Sequence, residues 1–339
     1  MSKSARAVIA LLLTVVCSPP LSANDVPATM RAAVADRYGA PETLRIATLP
    51  TPQPAAGEVL IRVAASSVNP IDWKQLEGTT KDWWPLEFPA VLGRDVAGHI
   101  AAVGPDVADF EVGDAVMADL GRATGSFAEY CVVPAAAVAP KPQNMSFAEA
   151  AGVPLVGLTA WQALLDAGGL SSGQRVLIHG GAGGVGSAAV QIARARGAHV
   201  IATASTRNHD FLRQIGADET IDYRSARFEE VVAPVDLVLD TVGGDTLVRS
   251  TGVVRPGGTL VTIAGRPPES RCEALAIRCA AILVESRGDQ LDELRRLIEA
   301  GGYRVHLDGV YPLEQVAAAL AENAQGHTRG KIVIDIDAR

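Results

Sequence analysis

A chain of 339 residues with 48% hydrophobic and 20% charged residues is long enough for two domains and too apolar for disorder. Its net charge of −8, with no basic run, excludes a general nucleic-acid binder, so no nucleic-acid partner is expected. With 33 glycines and only 4% aromatic residues, the core must rest on Val, Leu, Ile and Ala, which suits parallel strands covered by helices.

Residues 1–23 have the three parts of an export signal: Lys3 and Arg6, an apolar run Ala7 to Val16, and a small-residue end at Leu21-Ser22-Ala23. The run is too short to span a bilayer comfortably, so no stable membrane insertion is expected. Two readings stay open. Cleavage after Ala23 gives a periplasmic or secreted protein, the preferred reading; an upstream extension to residue 29 gives a cytoplasmic chain starting at Met30. Cys17 lies in the signal, and Cys131, Cys272 and Cys279 form no C-x-x-C pair, so a disulfide framework is not expected.

From residue 31 to 140, short apolar runs alternate with Pro and Gly, as in an all-β region. Strands are expected at Val59–Val63, Val96–Val103 and Phe127–Val133. The pattern changes near Asn144, where Asn144 or Ser146 caps a helix start, and a second helix is expected from Val156 or Gly157 to about Ala167. Beyond Gln174 the chain alternates strand and helix. Strands fall at Arg175–His179, Ala198–Ala204, Glu219–Asp222, Val235–Thr241 and Thr259–Ala264, with helices at Ser187–Arg196, Asn208–Ile215, Phe228–Ala233 and Gly244–Val253 between them. That alternation implies an α/β fold with a parallel, doubly wound sheet. Asp289–Ala300 is a further amphipathic helix, and Lys331–Ile336 is a strand expected to return to the first region.

The strand VLIHG runs into GAGGVGSAAVQIARARG, placing Gly181-x-Gly183-x-x-Gly186 at the first strand-to-helix turn of a βαβ unit. Gly181 is expected to make the tight turn, Gly183 to let the backbone approach a pyrophosphate, and Gly186 to pack the helix on the strand. Ser187 is not preceded by lysine, which excludes a phosphate-loop NTPase. The next strand, HVIATA, ends in Ser205-Thr206-Arg207-Asn208 with no acid to hold a ribose diol. A hydroxyl plus a guanidinium suits a 2′-phosphate, so NADP(H) is the expected cofactor, the other reading of Arg207 being a solvated helix-start residue.

These residues resemble the medium-chain dehydrogenase/reductases, in their zinc-free quinone oxidoreductase-like branch. The resemblance runs from Met30 to Asp337 through MRAAVADRYGAPETL, SSVNPIDWK, GRDVAGHIAAVG, GSFAEYCVVP, GVPLVGLTAWQAL, GGAGGVGSAAVQIA, GADETIDYR, LDTVGG, RPGGTLVTIAG and HTRGKIVI. It implies a GroES-like β-barrel catalytic domain over residues 30–152, an inserted Rossmann domain over 153–285, a return to the catalytic domain over 286–339, and an active site in the cleft. Zinc-using members carry a cysteine in the loop matching Val68–Asp72 and a His-Glu pair after Gly93. This chain has neither, Arg94-Asp95 follows Gly93, and the cysteine-rich lobe is missing between Gly98 and Asp119, so no metal is expected. His99, His179 and His199 are expected to sit satisfied at strand ends.

Without a Lewis acid, the expected chemistry is hydride transfer to a quinone or to the C=C bond of an α,β-unsaturated carbonyl, with hydrogen-bond donors for the developing oxyanion. A zinc-free alcohol dehydrogenase and a non-catalytic NADPH sensor stay open as alternatives. By position, the resemblance puts Asn69 and Thr159 beside the nicotinamide and substrate, and Ala182, Gly183, Gly184 and Val185 along the pyrophosphate. It puts Ser205, Arg207 and Tyr223 around the adenosine phosphate, Val242, Ile263, Ala264 and Gly265 along the cofactor, and Lys331 closing the site. Tyr223 reads equally as a turn tyrosine. Asp72 and Lys74 read as surface charges on a loop or as proton-handling groups, and Trp73, Trp83 and Trp84 as pocket walls or barrel-end packing. The resemblance also implies a last Rossmann strand that pairs across a dimer axis, and the apolar edge strand over Arg278–Glu285 is the candidate, so a homodimer is expected.

Overall fold

The structure, a computed structural model, describes residues 26–122 and 125–337, so the export-signal segment lies outside the described residues. In the first half, the apolar runs fold as β1 (Thr29–Ala35), β2 (Arg45–Pro50), β3 (Glu58–Val68), β4 (Ala90–Val91), β5 (Asp95–Val103), β6 (Ala115–Asp119), β7 (Tyr130–Pro134) and β8 (Val138–Pro140). β2, β1 and β4 form a three-stranded antiparallel sheet. β3 is the hub of a seven-stranded sheet and pairs antiparallel with both β5 and β7. Nearly all of its residues are buried, which is why VLIRVAASSV carries a single charge.

Asn69 to Asp72, read from sequence as a loop, instead opens helix α1 (Pro70–Leu76). Pro70 takes the first helical position, where its missing N–H has no intrahelical partner to lose. Asp72, three residues after the cap, accepts from the Asn69 N–H at 2.7 Å. Ser146 caps α2 (Phe147–Ala151) through a reciprocal pair with Glu149. α3 (Pro154–Trp161) starts two residues before the expected Val156, because Pro154 presets the first turn, and it widens into π-helical turns over Gln162–Ala167.

The second half alternates β9 (Arg175–Ile178), α4 (Gly184–Ala195), β10 (His199–Ala204), α5 (His209–Gln214), β11 (Glu219–Asp222), α6 (Phe228–Val231), β12 (Val235–Asp240), α7 (Gly244–Ser250), β13 (Val254–Thr262), α8 (Glu269–Ala274) and β14 (Arg278–Ala281). Its six strands are all parallel, in the order β11-β10-β9-β12-β13-β14. The chain continues through α9 (Gly288–Glu299), β15 (Leu307–Pro312), α10 (Val316–Ala324) and β16 (Lys331–Asp335). β16 pairs antiparallel with β3 and parallel with β15. One buried cluster runs from Ala65, Ala97 and Met117 through Leu158 to Ile178 and Leu239, so the two large sheets share a core across α3.

Two expectations are corrected here. Cys272 and Cys279 form a disulfide that ties α8 to the edge strand β14. Their separation of seven spans a helix and a turn, which residue spacing alone does not reveal. His99 sits in the middle of β5 rather than at its end, its ring lies tilted against Phe147 with centroids 4.8 Å apart, and its Nδ1 has no partner among the described residues.

Candidate active site

A cavity of about 730 Å³ opens where the carboxyl ends of β9, β10 and β12 face α1, α3 and the start of β16. One wall is the glycine turn. Gly180, not Gly181, takes the left-handed conformation, with φ +65°, correcting the expected assignment by one residue. Gly181 is required by packing instead, since a Cβ there would lie 2.9 Å from the Ala202 Cβ. A Cβ on Gly186 would lie 2.2 Å from the Gly180 carbonyl oxygen, so this position holds the start of α4 against the turn. Gly183 caps α4 with no neighbour closer than 3.5 Å to a Cβ position, leaving open space over the first-turn amides, which have no acceptor inside the helix. The Gly330 N–H donates to the Ala182 carbonyl at 2.9 Å, tying the returning segment to this turn.

The facing wall is a buried polar cluster. Asp95, fully buried at the start of β5, accepts from Ser67 Oγ at 2.5 Å, Asn69 Nδ2 at 2.8 Å and the Leu155 N–H at 2.7 Å. Lys331 Nζ donates to Asn69 Oδ1 at 2.5 Å and to the Val68 carbonyl at 2.9 Å, and lies 3.6 Å from Asp95. These contacts fix the Asn69 amide with its oxygen toward Lys331 and its nitrogen toward Asp95. Burial lowers the Lys331 ammonium from its usual range, opposed first by the Asp95 charge. Beneath them Arg94 makes a two-pronged pair with Asp119, at 2.9 and 2.6 Å, and stacks over Trp84, which lines the cavity. Of the two readings of Asp72, a surface charge or a proton-handling group, the surface reading does not hold. The residue is fully buried, and burial pushes its carboxyl up to about 7.

At the end of β9, His179 Nδ1 meets Thr203 Oγ1 at 3.1 Å and Nε2 meets Ser250 Oγ at 3.0 Å. Both ring nitrogens are thereby used, and burial pushes the imidazole down to about 4, so it is neutral at physiological pH. His199, at the start of β10, pairs with Glu219 at 2.6 Å.

Asn69, Thr159, Ala182, Gly183, Gly184, Val185, Ser205, Arg207, Tyr223, Val242, Ile263 and Lys331 all line the cavity. Thr159 Oγ1 donates to the Leu155 carbonyl at 2.6 Å, leaving its oxygen free to accept. Ala264 and Gly265 do not line it. Ala264 backs the turn instead: Gly243 has φ +79°, and a Cβ there would lie 2.2 Å from the Ala264 carbonyl oxygen. Arg207 reaches the His327 carbonyl at 3.3 Å, and Tyr223 is 57% exposed beneath Arg224. Trp84 lines the cavity, whereas Trp73 binds Asn323 and Trp83 is half exposed.

Sequence reasoning missed Asp95, Arg94, Arg224 and Thr328. Asp95 was visible as an acid opening an otherwise apolar strand, DVAGHIAAV, the pattern of a buried and therefore bonded carboxylate. Among the described residues, no group of three or more His, Cys, Asp or Glu could hold a metal ion.

The profile of the alcohol dehydrogenase GroES-like domain matches residues 55–143, and that described as zinc-binding dehydrogenase matches residues 215–334. A chloroplastic quinone oxidoreductase of Triphysaria versicolor is 34% identical, covering 90% of this chain and 98% of that protein. A chloroplastic NADPH-dependent alkenal/one oxidoreductase of Arabidopsis thaliana is 35% identical over 91% of this chain and 80% of its own length. Among solved structures, the quinone oxidoreductase from Coxiella burnetii superposes with a TM-score of 0.84 at 34% identity, covering 91% and 99% of the two chains.

Proposed function

Because the chain belongs to the quinone oxidoreductase-like branch of the medium-chain dehydrogenase/reductases, we propose that it is a zinc-independent, NADPH-dependent reductase of quinones or α,β-unsaturated carbonyls. The observation that carries this is the meeting, in one cavity, of a glycine turn with open helix amides and a buried Asn69–Lys331 pair. A nicotinamide dinucleotide suits the first wall. Gly183 leaves room for a pyrophosphate over Gly184 and Val185, and the bare Gly186 lets the start of α4 pack closely on the turn. At the adenosine end, Arg207 and Arg224 line the cavity with Thr328, whose buried hydroxyl has no partner among the described residues. Two guanidiniums and a hydroxyl without a carboxylate favour a 2′-phosphate over a bare ribose.

When bound, the cofactor supplies a hydride. The chain's own groups do the rest. Asn69 and Thr159 orient the reacting ends, and Lys331 Nζ presents positive charge toward the oxygen on which negative charge develops. Zinc independence is supported by the donor set: Arg94, in the place of a histidine ligand, is committed to Asp119 and has no lone pair to offer. The test is turnover of purified protein with NADPH against a panel of quinones and enones. Oxidation of NADPH by at least one class, undiminished by chelators, is expected; binding without oxidation across the whole panel overturns the proposal.

Export remains the preferred location. A disulfide such as Cys272–Cys279 persists outside reducing compartments, which supports use of the leader. A native N-terminus at Asn24 by mass spectrometry is the expected outcome, and Met30 or Arg31 overturns it. The homodimer reading rests on β14, the outer strand of the parallel sheet, whose free edge could pair with a second copy.

A further inference from the structure

The buried cluster beside the cavity does not balance in charge. Asp72, Asp95 and Asp119 are each fully buried, and the cations beside them are Arg94 and Lys331. Three carboxylates against two ammonium or guanidinium groups would leave one net anion without solvent, so one carboxyl must keep its proton.

The hydrogen bonds say which. Burial raises the Asp119 carboxyl, but both its oxygens are occupied, by the two-pronged Arg94 contact and by Ser286 Oγ at 2.7 Å, so neither is left bare for a proton. Asp95 accepts on both oxygens, from Leu155 on one and from Ser67 and Asn69 on the other, with Lys331 at 3.6 Å. Among the described residues, Asp72 accepts only on Oδ2, from the Asn69 N–H, while its buried Oδ1 has no partner. A bare oxygen in that setting is where a proton is least costly to keep.

We propose that Asp72 carries the cluster's spare proton and stays a neutral acid while the enzyme works, so that the Lys331 ammonium faces the acceptor against one carboxylate, Asp95. The proposal rests on the reductase reading given above. Ionising Asp72 would set a second anion near the ammonium, making Nζ a weaker acid and cancelling part of the positive potential that it turns on the acceptor oxygen. Asp72 does not line the cavity, so it is a positioning residue acting through Asn69 and Lys331.

Groups facing Asp72 from each neighbouring element support this assignment. β5 and the residue before it bring Asp95 and Arg94, and β16 brings Lys331; Asp119, on β6, joins the cluster through Arg94. On its own helix, Lys74 is turned out over the Trp73 ring at 5.4 Å. α10 packs on α1, where the Trp73 Nε1–H donates to Asn323 Oδ1 at 3.2 Å, and its Glu322 is bound by the Tyr311 hydroxyl. Tyr303, close enough to feel Asp95, is kept neutral by burial. Burial is also the dominant influence on Asp72 itself, with the Asn69 bond opposing it.

The experiment is a pH titration of protein carrying carbon-13 at aspartate carboxyls, without cofactor, alongside the pH profile of kcat for acceptor reduction. One carboxyl resonance should titrate near neutrality and vanish in Asp72→Asn. Over the same range kcat of the wild type should fall, by up to about tenfold per pH unit. In Asp72→Asn, permanently neutral, that limb should be absent. A wild-type titration with every aspartate ionised by pH 5 overturns the proposal, and needs no variant to fold. A kcat limb that persists in Asp72→Asn overturns the coupling to Lys331. Failure to reduce any acceptor, with the neutral-pH titration intact, instead overturns the reductase reading on which the coupling rests.

Discussion

The wall built from β9 and α4 presents main chain to the cavity: a left-handed turn at Gly180, open amides after Gly183, and a histidine whose two nitrogens are both bonded to hydroxyls. The wall built from β3, β5 and β16 presents side chains: Asn69 and Lys331, held from behind by Asp95. The first is neutral and depends on the absence of atoms, because any Cβ at Gly186 would strike the Gly180 carbonyl. The second is charged and depends on a full set of partners, because removing one member strands the others without water. The first wall suits a fixed anion, and the second suits charge that appears only during reaction.

Asp95→Ala is the variant that should break this contrast most severely. It leaves Lys331, the Leu155 N–H, Ser67 and Asn69 without their common acceptor. Loss of one partner from a buried charged group costs about 3–5 kcal/mol, read as a lowered midpoint in chemical denaturation. Asp95→Asn, which keeps the volume, should lose less.

Next in size are two opposed pH effects, one from each wall. His179 is pushed down to about 4 in the folded protein, below its unfolded value near 6.5. The unfolded chain then binds more protons between those values, so this stabilisation is present above about pH 6.5 and is lost as pH falls through about 4. Asp72 is raised to about 7 from an unfolded value near 4. Its contribution is present below about pH 4 and is lost as pH rises through about 7. Each window is on the order of 3–4 kcal/mol, so from these two groups the wild type should be nearly flat between about pH 4 and 6.5. Asp72→Asn should unmask stability that rises with pH, by about 1.4 kcal/mol per unit; His179→Gln should unmask the reverse slope. Urea midpoints at three pH values check both, and slopes of the same sign in the two variants would undo the comparison.

Smaller again is Gly186→Ala. Its methyl group overpacks the turn, with an expected cost of about 1–3 kcal/mol in stability and a weakened dinucleotide affinity, measured by quenching of intrinsic fluorescence.

The unequal legibility of the two walls follows from the same difference. The glycine turn could be read because its requirement is local: Gly181, Gly183 and Gly186 fall at fixed offsets after an apolar strand, and structure moved only the left-handed position, to Gly180. The charged wall is assembled from Asn69, Asp95, Leu155 and Lys331, scattered over 262 residues between Asn69 and Lys331, and no window of sequence contains it. Asn69 and Lys331 were reached through family resemblance, whereas Asp95 entered only as the absence of a metal ligand. Asp72 was misjudged because Asn-Pro-Ile-Asp was taken for a loop when Pro70 and Asp72 are helix-start residues. The Cys272–Cys279 pairing was hidden for a different reason: the two cysteines share a short window, but whether the helix α8 and the turn after it bring their sulfurs together is decided by folding, not by spacing.

An effect of similar size, confined to cofactor binding, is expected at the outer end of the glycine wall, where the cavity reaches solvent. Arg207 follows β10 and donates to the His327 carbonyl at 3.3 Å, a long contact that leaves most of its donors free. A 2′-phosphate offers those donors three charged acceptors, and a bare ribose offers none. Arg207→Ala should therefore cost NADPH about 1.5–3 kcal/mol of binding, tenfold or more in Kd, and change NADH little. Because the contact is charge-assisted and near solvent, rising salt should shrink the difference between the two cofactors in the wild type but hardly alter the variant. Equal losses for NADPH and NADH would mean that Arg207 acts by shaping the start of α5, and the preference for the phosphorylated cofactor would then have to rest on Arg224 and Thr328, which line the same end of the cavity.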